Sequence, residues 1–276
     1  MRKQPVRAIS QPDAWDIPAP VALLGLPLHP VTMAKAVSLV AQAVETRRPL
    51  RHLAMNAAKL VAVHHDESLR RAVASADLVT ADGQSIVWAA RVLRRPVPER
   101  VTGIDLMDAS LDLAARRGHR VFMLGARAEV LRDAVAALRQ RFPGLRIVGA
   151  IDGYYEPSQE AGVVRQIAAA RPDMLFVALS SPKKEQFLAD HEKQLGIPFC
   201  MGVGGSLDVI AGRVRRAPRA LQRLGLEWSF RLIQEPRRLW RRYLLTNTRF
   251  IGLVARQAWR ARRSAAAVEE LSTPRV

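Results

Sequence analysis

Apolar positions along the chain alternate between two patterns. At 120–124 and 174–179 they form short unbroken runs, which predict strands buried on both faces. At 128–141 and 183–195 they recur every three or four residues, which predicts amphipathic helices. The stretch HRVFMLGARAEVLRDAVAALRQRFPGLRIVGAIDGYY reads as strand 120–124, Gly125, helix 128–141, a Pro-Gly turn and strand 145–150. A strand–helix–strand unit of this kind pairs its strands in parallel. RPDMLFVALSSPKKEQFLADHEKQLG repeats the pattern, and IPFCMGVGGSLDVIAGRV adds a strand and a glycine turn. Upstream, a short strand near residue 21 and a turn precede a helix whose apolar face is Ala34, Val37, Val40, Ala41 and Val44. A strand at 52–55 leads into a helix, and DESLRRAVASA continues as a helix on Leu69, Ala72 and Val73. Leu78–Ala81 reads as a buried strand, followed by a helix carrying Ile86, Val87, Ala89, Ala90 and Leu93. Such alternation predicts the α/β class with a mainly parallel sheet. Strand signals stop after about residue 212, and two or three helices broken at Pro218 and Pro236 follow. The expected organisation is a loose leader at 1–20, an α/β core at 21–212 and a helical, arginine-rich appendage at 213–276.

Composition narrows the functional classes. About half of the 276 residues are apolar, enough for a substantial core. The single cysteine, Cys200, excludes a disulfide framework or a cysteine zinc site and reads as a packed core thiol in a reducing cytoplasm. The basic N-terminus lacks the apolar run of a signal peptide, and no 18-residue apolar stretch suits a membrane span. The net charge of +18 is concentrated: residues 213–263 hold fifteen arginines, no lysine and two acids, Glu227 and Glu235. Such a block seeks phosphate in nucleic acid, an anionic membrane or a phosphorylated substrate. A helix from Arg238 to Arg263 would run about 39 Å and mixes arginine with Leu239, Trp240, Tyr243, Leu244, Phe250, Ile251, Val254 and Trp259. That mixture suits a headgroup interface, or equally a helix packed on the core with a solvated arginine face. No helix-turn-helix, RRM or KH signature supports nucleic acid.

Ligands of parallel sheets bind beyond the strands' carboxyl ends. Polar or glycine residues stand there at Asn56, Asp82, Gly125, Ser180–Lys184 and Gly204–Asp208, which suggests one common cleft. Asp82, followed by Gly83, is the unusual one: a carboxylate between a buried strand and a helix can be an N-cap, a substrate ligand or a catalytic base. For Asn56 a cap or turn is the simpler reading. Gly125 permits close approach of phosphate to backbone amides, but LGARAEV and GVGGSLD match neither a dinucleotide fingerprint nor a Walker A loop. The six histidines show no metal spacing, and His64 and His65 read as surface residues.

MNAAKLV, ADLVTADGQSIV, RVTGIDLM, VFMLGA, SSPKKEQF, GVGGSLDVIAGRVRRAP and LEWSFRLIQEPRRLWRRY, spread over about residues 50–245, together resemble the WecG/TagA/CpsF family of bacterial glycosyltransferases. The resemblance implies a Rossmann-like α/β core with a C-terminal appendage that docks at the membrane and helps close the active site. It implies an inverting, metal-independent, cofactor-free transfer from a UDP-sugar to a polyprenyl-diphosphate-linked saccharide for cell-envelope polysaccharide. The donor would be N-acetylmannosamine, its uronic acid or a hexose such as glucose. The enzyme would sit peripherally on the inner face of the cell membrane and would self-associate when off it. Asp82 matches the family's proposed catalytic base. Asn56 matches the asparagine of its Thr-x-Asn motif, where Ala54 replaces the threonine. Lys184 replaces the glutamine of its Pro-x-Gln-Glu motif and Glu185 keeps the glutamate, so donor specificity is the property these two departures touch. The appendage arginines carry over to Arg231, Arg238 and Arg241, as ligands for a diphosphate. Gly83, Asp105, Gly125 and Gly204, within the matching blocks, complete the expected substrate-binding set. The competing readings are a basic α/β module that binds nucleic acid or phosphate without catalysis, and an inactive relative with Ala54 and Lys184. On the family reading, a chain cut at about residue 213 should keep a folded core and lose turnover.

Overall fold

The computed structural model describes residues 16–272 apart from residue 224, so most of the expected leader lies outside the described residues. In chain order the elements are β1 (Val21–Leu23), β2 (Leu26–Leu28), α1 (Met33–Thr46), β3 (Leu50–Met55), α2 (Ala57–Ala62), α3 (Glu67–Ala74), β4 (Leu78–Ala81), α4 (Gln84–Val92) and α5 (Gly103–Arg117). There follow β5 (Arg120–Gly125), α6 (Ala128–Arg141), β6 (Arg146–Ile151), α7 (Glu160–Ala169), β7 (Met174–Ala178), α8 (Lys183–Leu195), β8 (Phe199–Gly202) and α9 (Ser206–Ile210). The chain ends in α10 (Arg219–Arg223), α11 (Glu227–Gln234) and the long α12 (Pro236–Ser272).

Six strands form one parallel sheet in the order β4-β3-β8-β7-β5-β6, and β1 and β2 form a separate antiparallel hairpin. The four strands β3, β4, β7 and β8 are buried along their whole length, as expected of a sheet covered on both faces. One apolar cluster unites α1, α5 and α6 on one face; two others join α2, α3, α4, α7 and α8 to the opposite face. The free edge of β4 is closed by backbone pairing: His29 N–H donates to the Val79 carbonyl at 2.8 Å, and Val101 N–H to the Ala81 carbonyl at 3.0 Å.

The hydrophobic pattern locates the strands and the 128–141 and 183–195 helices closely. It misses β2, whose turn is built on Leu24 and Gly25 with φ of 51° and 80°, because leucine is not a residue that signals a left-handed turn. It also passes over α5, whose start depends on a side-chain cap: Thr102 Oγ1 accepts from the Asp105 N–H at 3.2 Å. The prolines act as helix starters here. Pro236 opens α12, where its missing N–H costs nothing, and Pro218 directly precedes α10.

The middle of α12 packs on the core. Phe250 and Val254 are buried in the cluster formed with α2 and α4, and the Leu24 N–H donates to Gln257 Oε1 at 3.2 Å. Cutting the chain at residue 213 would uncover this cluster, so the expectation of a folded, truncated core gives way to one of a destabilised core. Burying a phenylalanine contributes about 2–3 kcal/mol.

Two histidines in the β3–β4 region are held neutral. His52 is fully buried, and Nε2 contacts Thr80 Oγ1 at 2.9 Å; burial first, then the charges of Lys59 and His29, push its pKa down to about 3. His29 is lowered as well, chiefly by burial. A histidine that resists protonation only when folded stabilises the fold above its unfolded pKa of about 6.5, and the contribution disappears as pH falls. His52 should therefore cost about 1.4 kcal/mol of stability per pH unit below 6.5. Urea unfolding between pH 7 and 5 checks this, and His52→Gln should flatten the dependence.

Candidate active site

A parallel sheet brings all its carboxyl ends to one edge. Read across the sheet, that edge carries Asp82 after β4, Asn56 after β3, Gly204 beyond β8, Ser180 and Ser181 beyond β7, Gly125 at the end of β5 and Asp152 after β6.

Asp82 extends the ladder by one residue, its N–H donating to the Met55 carbonyl at 2.7 Å. The N-cap of α4 is Gly83, with φ 122° and no side-chain cap. The cap position is therefore filled by a residue with no side chain, and the left-handed φ explains why glycine stands there. Asp82 lies one residue outside the cap, half-buried, at the mouth of the edge. The backbone therefore gives the N-cap position to Gly83 and sets Asp82 at the strand end before it. Asn56 is the opposite case: it caps α2, with Oδ1 accepting from the Lys59 N–H at 2.9 Å.

Two glycines of the expected substrate-binding set, Gly125 and Gly204, also part ways. A Cβ on Gly125 would fall 2.5 Å from the Ala178 backbone, and the Ala126 N–H donates to the Ala178 carbonyl at 3.1 Å. Gly125 is thus required by close packing between the ends of β5 and β7. Gly125→Ala should cost about 2–3 kcal/mol, read from the urea midpoint. Gly204, with φ 52°, has nothing within 4 Å of such a Cβ, so open space adjoins its backbone.

Lys184 and Glu185 form a buried triad with Lys59, a residue the sequence reading does not single out. The Lys59 and Lys184 ammoniums lie 2.8 and 2.9 Å from Glu185 Oε1, and Lys59 Nζ donates to the Ala54 carbonyl at 2.7 Å. All three are buried, and the Lys184 stem lies along Gly202, where a Cβ would meet its Cδ at 3.2 Å. Burial drives the Glu185 pKa up, but the two ammoniums outweigh it and hold the carboxyl below its ordinary range. Both ammoniums contact Oε1, and Oε2 has no hydrogen-bond partner among the described residues. Lys59 stands three residues after Asn56, one turn along the helix that Asn56 caps, a spacing that could have pointed to it.

Asp105 lies in the first turn of α5. Its carboxylate accepts the Thr102 hydroxyl at 2.5 Å and pairs with Arg216 at 2.6 Å, so its observed partners are protein groups. Arg231 belongs to α11 and Arg238 to α12, but their side chains lie outside the described residues. Arg241 is exposed, 5.4 Å from the Trp240 ring centroid.

The other end of the edge carries two cation–tyrosine pairs absent from the sequence-based set. Arg127, after β5, lies 5.9 Å from the centroid of the exposed Tyr154, and Lys183, opening α8, lies 5.6 Å from that of Tyr155. The β5 and β7 crossovers leave their strands in opposite directions across the sheet, which makes the carboxyl ends of β5 and β7 a topological switch point. Their signal was DGYY after β6, a strand end with an aspartate and two aromatics.

Few groups at this edge suit acid–base work. Glu185 is neutralised by lysines, Asp105 by Arg216, and Asp152 accepts the Tyr154 N–H at 2.9 Å. Burial raises the Cys200 thiol to about 12, so it stays protonated in the core. Among the described residues no three His, Cys, Asp or Glu side chains converge, and no helix is long and apolar enough to cross a membrane. The match to the Glycosyl transferase WecG/TagA/CpsF family model spans residues 21–264, from β1 through most of α12, and the chain belongs to that family of glycosyltransferases.

Proposed function

We propose that this glycosyltransferase moves a sugar from a UDP-sugar to a polyprenyl-diphosphate-linked saccharide in cell-envelope polysaccharide synthesis, with Asp82 as the base. The observation that carries the reading is the placement of Asp82: a carboxylate at the end of β4, just before the N-cap, on the same edge as Gly204 and the β5–β7 switch point. The acceptor hydroxyl oxygen attacks C1 of the donor sugar while Asp82 takes its proton. The C1–O bond to UDP breaks on the opposite face, the electron pair leaves with the diphosphate, and the anomeric centre inverts. Negative charge gathering on UDP calls for cations. Arg127 and Lys183 at the switch point, with Arg231, Arg238 and Arg241 in the appendage sequence, are the candidates, and guanidinium groups bind diphosphate in bidentate fashion. We assign transition-state stabilisation to these side chains without a metal ion.

The appendage supports peripheral membrane binding. On α12 the exposed Trp240, Leu244 and Ile251 fall on one stripe, with Arg237 and Arg241 beside it, and the exposed Trp228 of α11 packs edge-on against Tyr243 at 6.1 Å. Apolar side chains flanked by arginine match an anionic headgroup layer. The deciding experiment incubates the full chain with a panel of UDP-sugars and polyprenyl-diphosphate acceptors bearing different first sugars, on anionic vesicles. Acceptor-dependent UDP release with one pairing is the expected result. No transfer with any pairing, together with tight, sequence-independent DNA binding, would replace this reading with a phosphate-binding module.

A further inference from the structure

The start of the appendage is tied to the core by a chain of four charges. Thr102 holds Asp105 at the beginning of α5, and Asp105 Oδ1 pairs with Arg216 Nη2 at 2.6 Å. Arg216 Nε lies 3.7 Å from Glu227 Oε1, and Glu227 Oε2 pairs with Arg100 Nη1 at 3.0 Å. Arg100 and Glu227 are mostly shielded, with side-chain exposures of 16% and 17%, so solvent screens this pair less than a surface one. Glu227 is one of only two acids in the arginine block, and it pairs here with two arginines.

The core ends of this chain flank the Asp82 turn. Arg100 precedes Val101, whose N–H donates to the carbonyl of Ala81, the residue before Asp82, and whose carbonyl accepts the Thr80 hydroxyl. On the appendage side, the turn between α10 and α11 rests on the other flank. Gly225, with φ 72°, comes so close to Gln84 that an added Cβ would fall 2.5 Å from the Gln84 Cβ. Gln84 is the first residue of α4, two positions after Asp82.

We propose that Asp105, Arg216, Glu227 and Arg100 form a positioning latch: while these charges are paired, the α10–α11 turn is held against Gln84 and the Asp82 turn is fixed for proton transfer. The four side chains act through Asp82 and touch no substrate. The proposal rests on the reading of Asp82 as the base, so its test carries one readout independent of activity.

The experiment compares Glu227→Gln, Arg216→Gln and the double variant with the wild-type chain, using Asp112→Asn, which alters an exposed ion pair on α5, as the charge control. Amide exchange is followed at Gly225 and Leu226, whose N–H groups donate to the Gln222 and Leu221 carbonyls. Each latch variant should exchange there about fivefold or more faster and lose about tenfold in kcat, with donor KM within about twofold. The double variant should be no worse than the more affected single one, because partners in one network are not additive. Asp112→Asn should match wild type. Unchanged exchange, additive losses, or faster exchange with unchanged kcat would each overturn the latch. A chain that transfers no sugar at all would instead fail the proposed function, while the exchange data still report on the latch.

Discussion

Asp82→Asn should fold like the wild-type chain and transfer sugar about 10²–10⁴-fold more slowly, the range spanned by loss of a positioned general base. Asparagine is nearly isosteric and cannot take a proton. Two features that hold the backbone here, the Asp82 N–H to the Met55 carbonyl and the Gly83 conformation, do not use the side chain. The substitution therefore leaves the turn in place while removing the base, and donor KM should change little. Initial rates of UDP release, with thermal unfolding as the fold control, give the measurement. Turnover within about threefold of wild type would remove Asp82 from the proton-transfer step. If the loss is as expected but the urea midpoint also drops sharply, the carboxylate holds the turn and the kinetic loss is structural.

The route to Asp82 shows which parts of the molecule were readable in the sequence. Continuous apolar runs and helical spacing mark β3 to β8 and α6 and α8 because burial on two faces, or on one stripe, leaves a direct imprint on residue type. The same logic places Asn56, Asp82 and Gly204 on one edge, since all follow strands that pair in parallel. It does not separate their duties. Asn56 and Asp82 look alike in sequence, each a polar residue between a strand and a helix, and only the backbone shows that one is the N-cap and the other stands outside it. Gly125 and Gly204 are similarly alike until the neighbouring backbone is seen. Side chains that meet across long sequence separations leave no local pattern at all. Lys59 with Glu185, Arg100 with Glu227 and Asp105 with Arg216 are of this kind. The arginine block likewise reads as a uniform charge run, although Arg213 pairs with Asp133 on α6, Arg216 faces Asp105, and Arg241 lies by Trp240. An amphipathic pattern says that α12 has an apolar face; it does not say that Phe250 and Val254 turn to the core while Trp240 and Ile251 turn away.

Glu185→Leu should be the most destabilising single substitution at this edge, at about 3–5 kcal/mol, because it leaves two buried ammoniums without their carboxylate. The cost arises from the lysines rather than from the lost glutamate. Lys59 is anchored to the Ala54 carbonyl and Lys184 lies along Gly202, so neither can swing to water without giving up its packing. Lys184→Gln, which restores the residue type expected from the family pattern, keeps the Lys59–Glu185 pair and should cost about 1 kcal/mol or less. Replacing all three by apolar residues (Lys59→Met, Lys184→Met and Glu185→Leu) should recover most of the loss, since a buried charge cluster contributes little net stability once its desolvation is counted. The acid side has a definite direction. Glu185 titrates below its ordinary value of 4.5 when folded, so the triad's contribution is complete above that pH and falls away as pH drops below it, where the unfolded chain takes up the proton first. Urea midpoints at pH 7 and pH 4 for wild type, Lys184→Gln and the apolar triple variant measure both effects. The triple variant should show a smaller loss between the two pH values than wild type; because removing Lys59 also eases the downward push on His52, the comparison is made in a His52→Gln background, where the difference belongs to Glu185. A midpoint for Glu185→Leu within about 1 kcal/mol of wild type would mean that the two ammoniums find other partners, and the triad would then be no more than a surface-like pair.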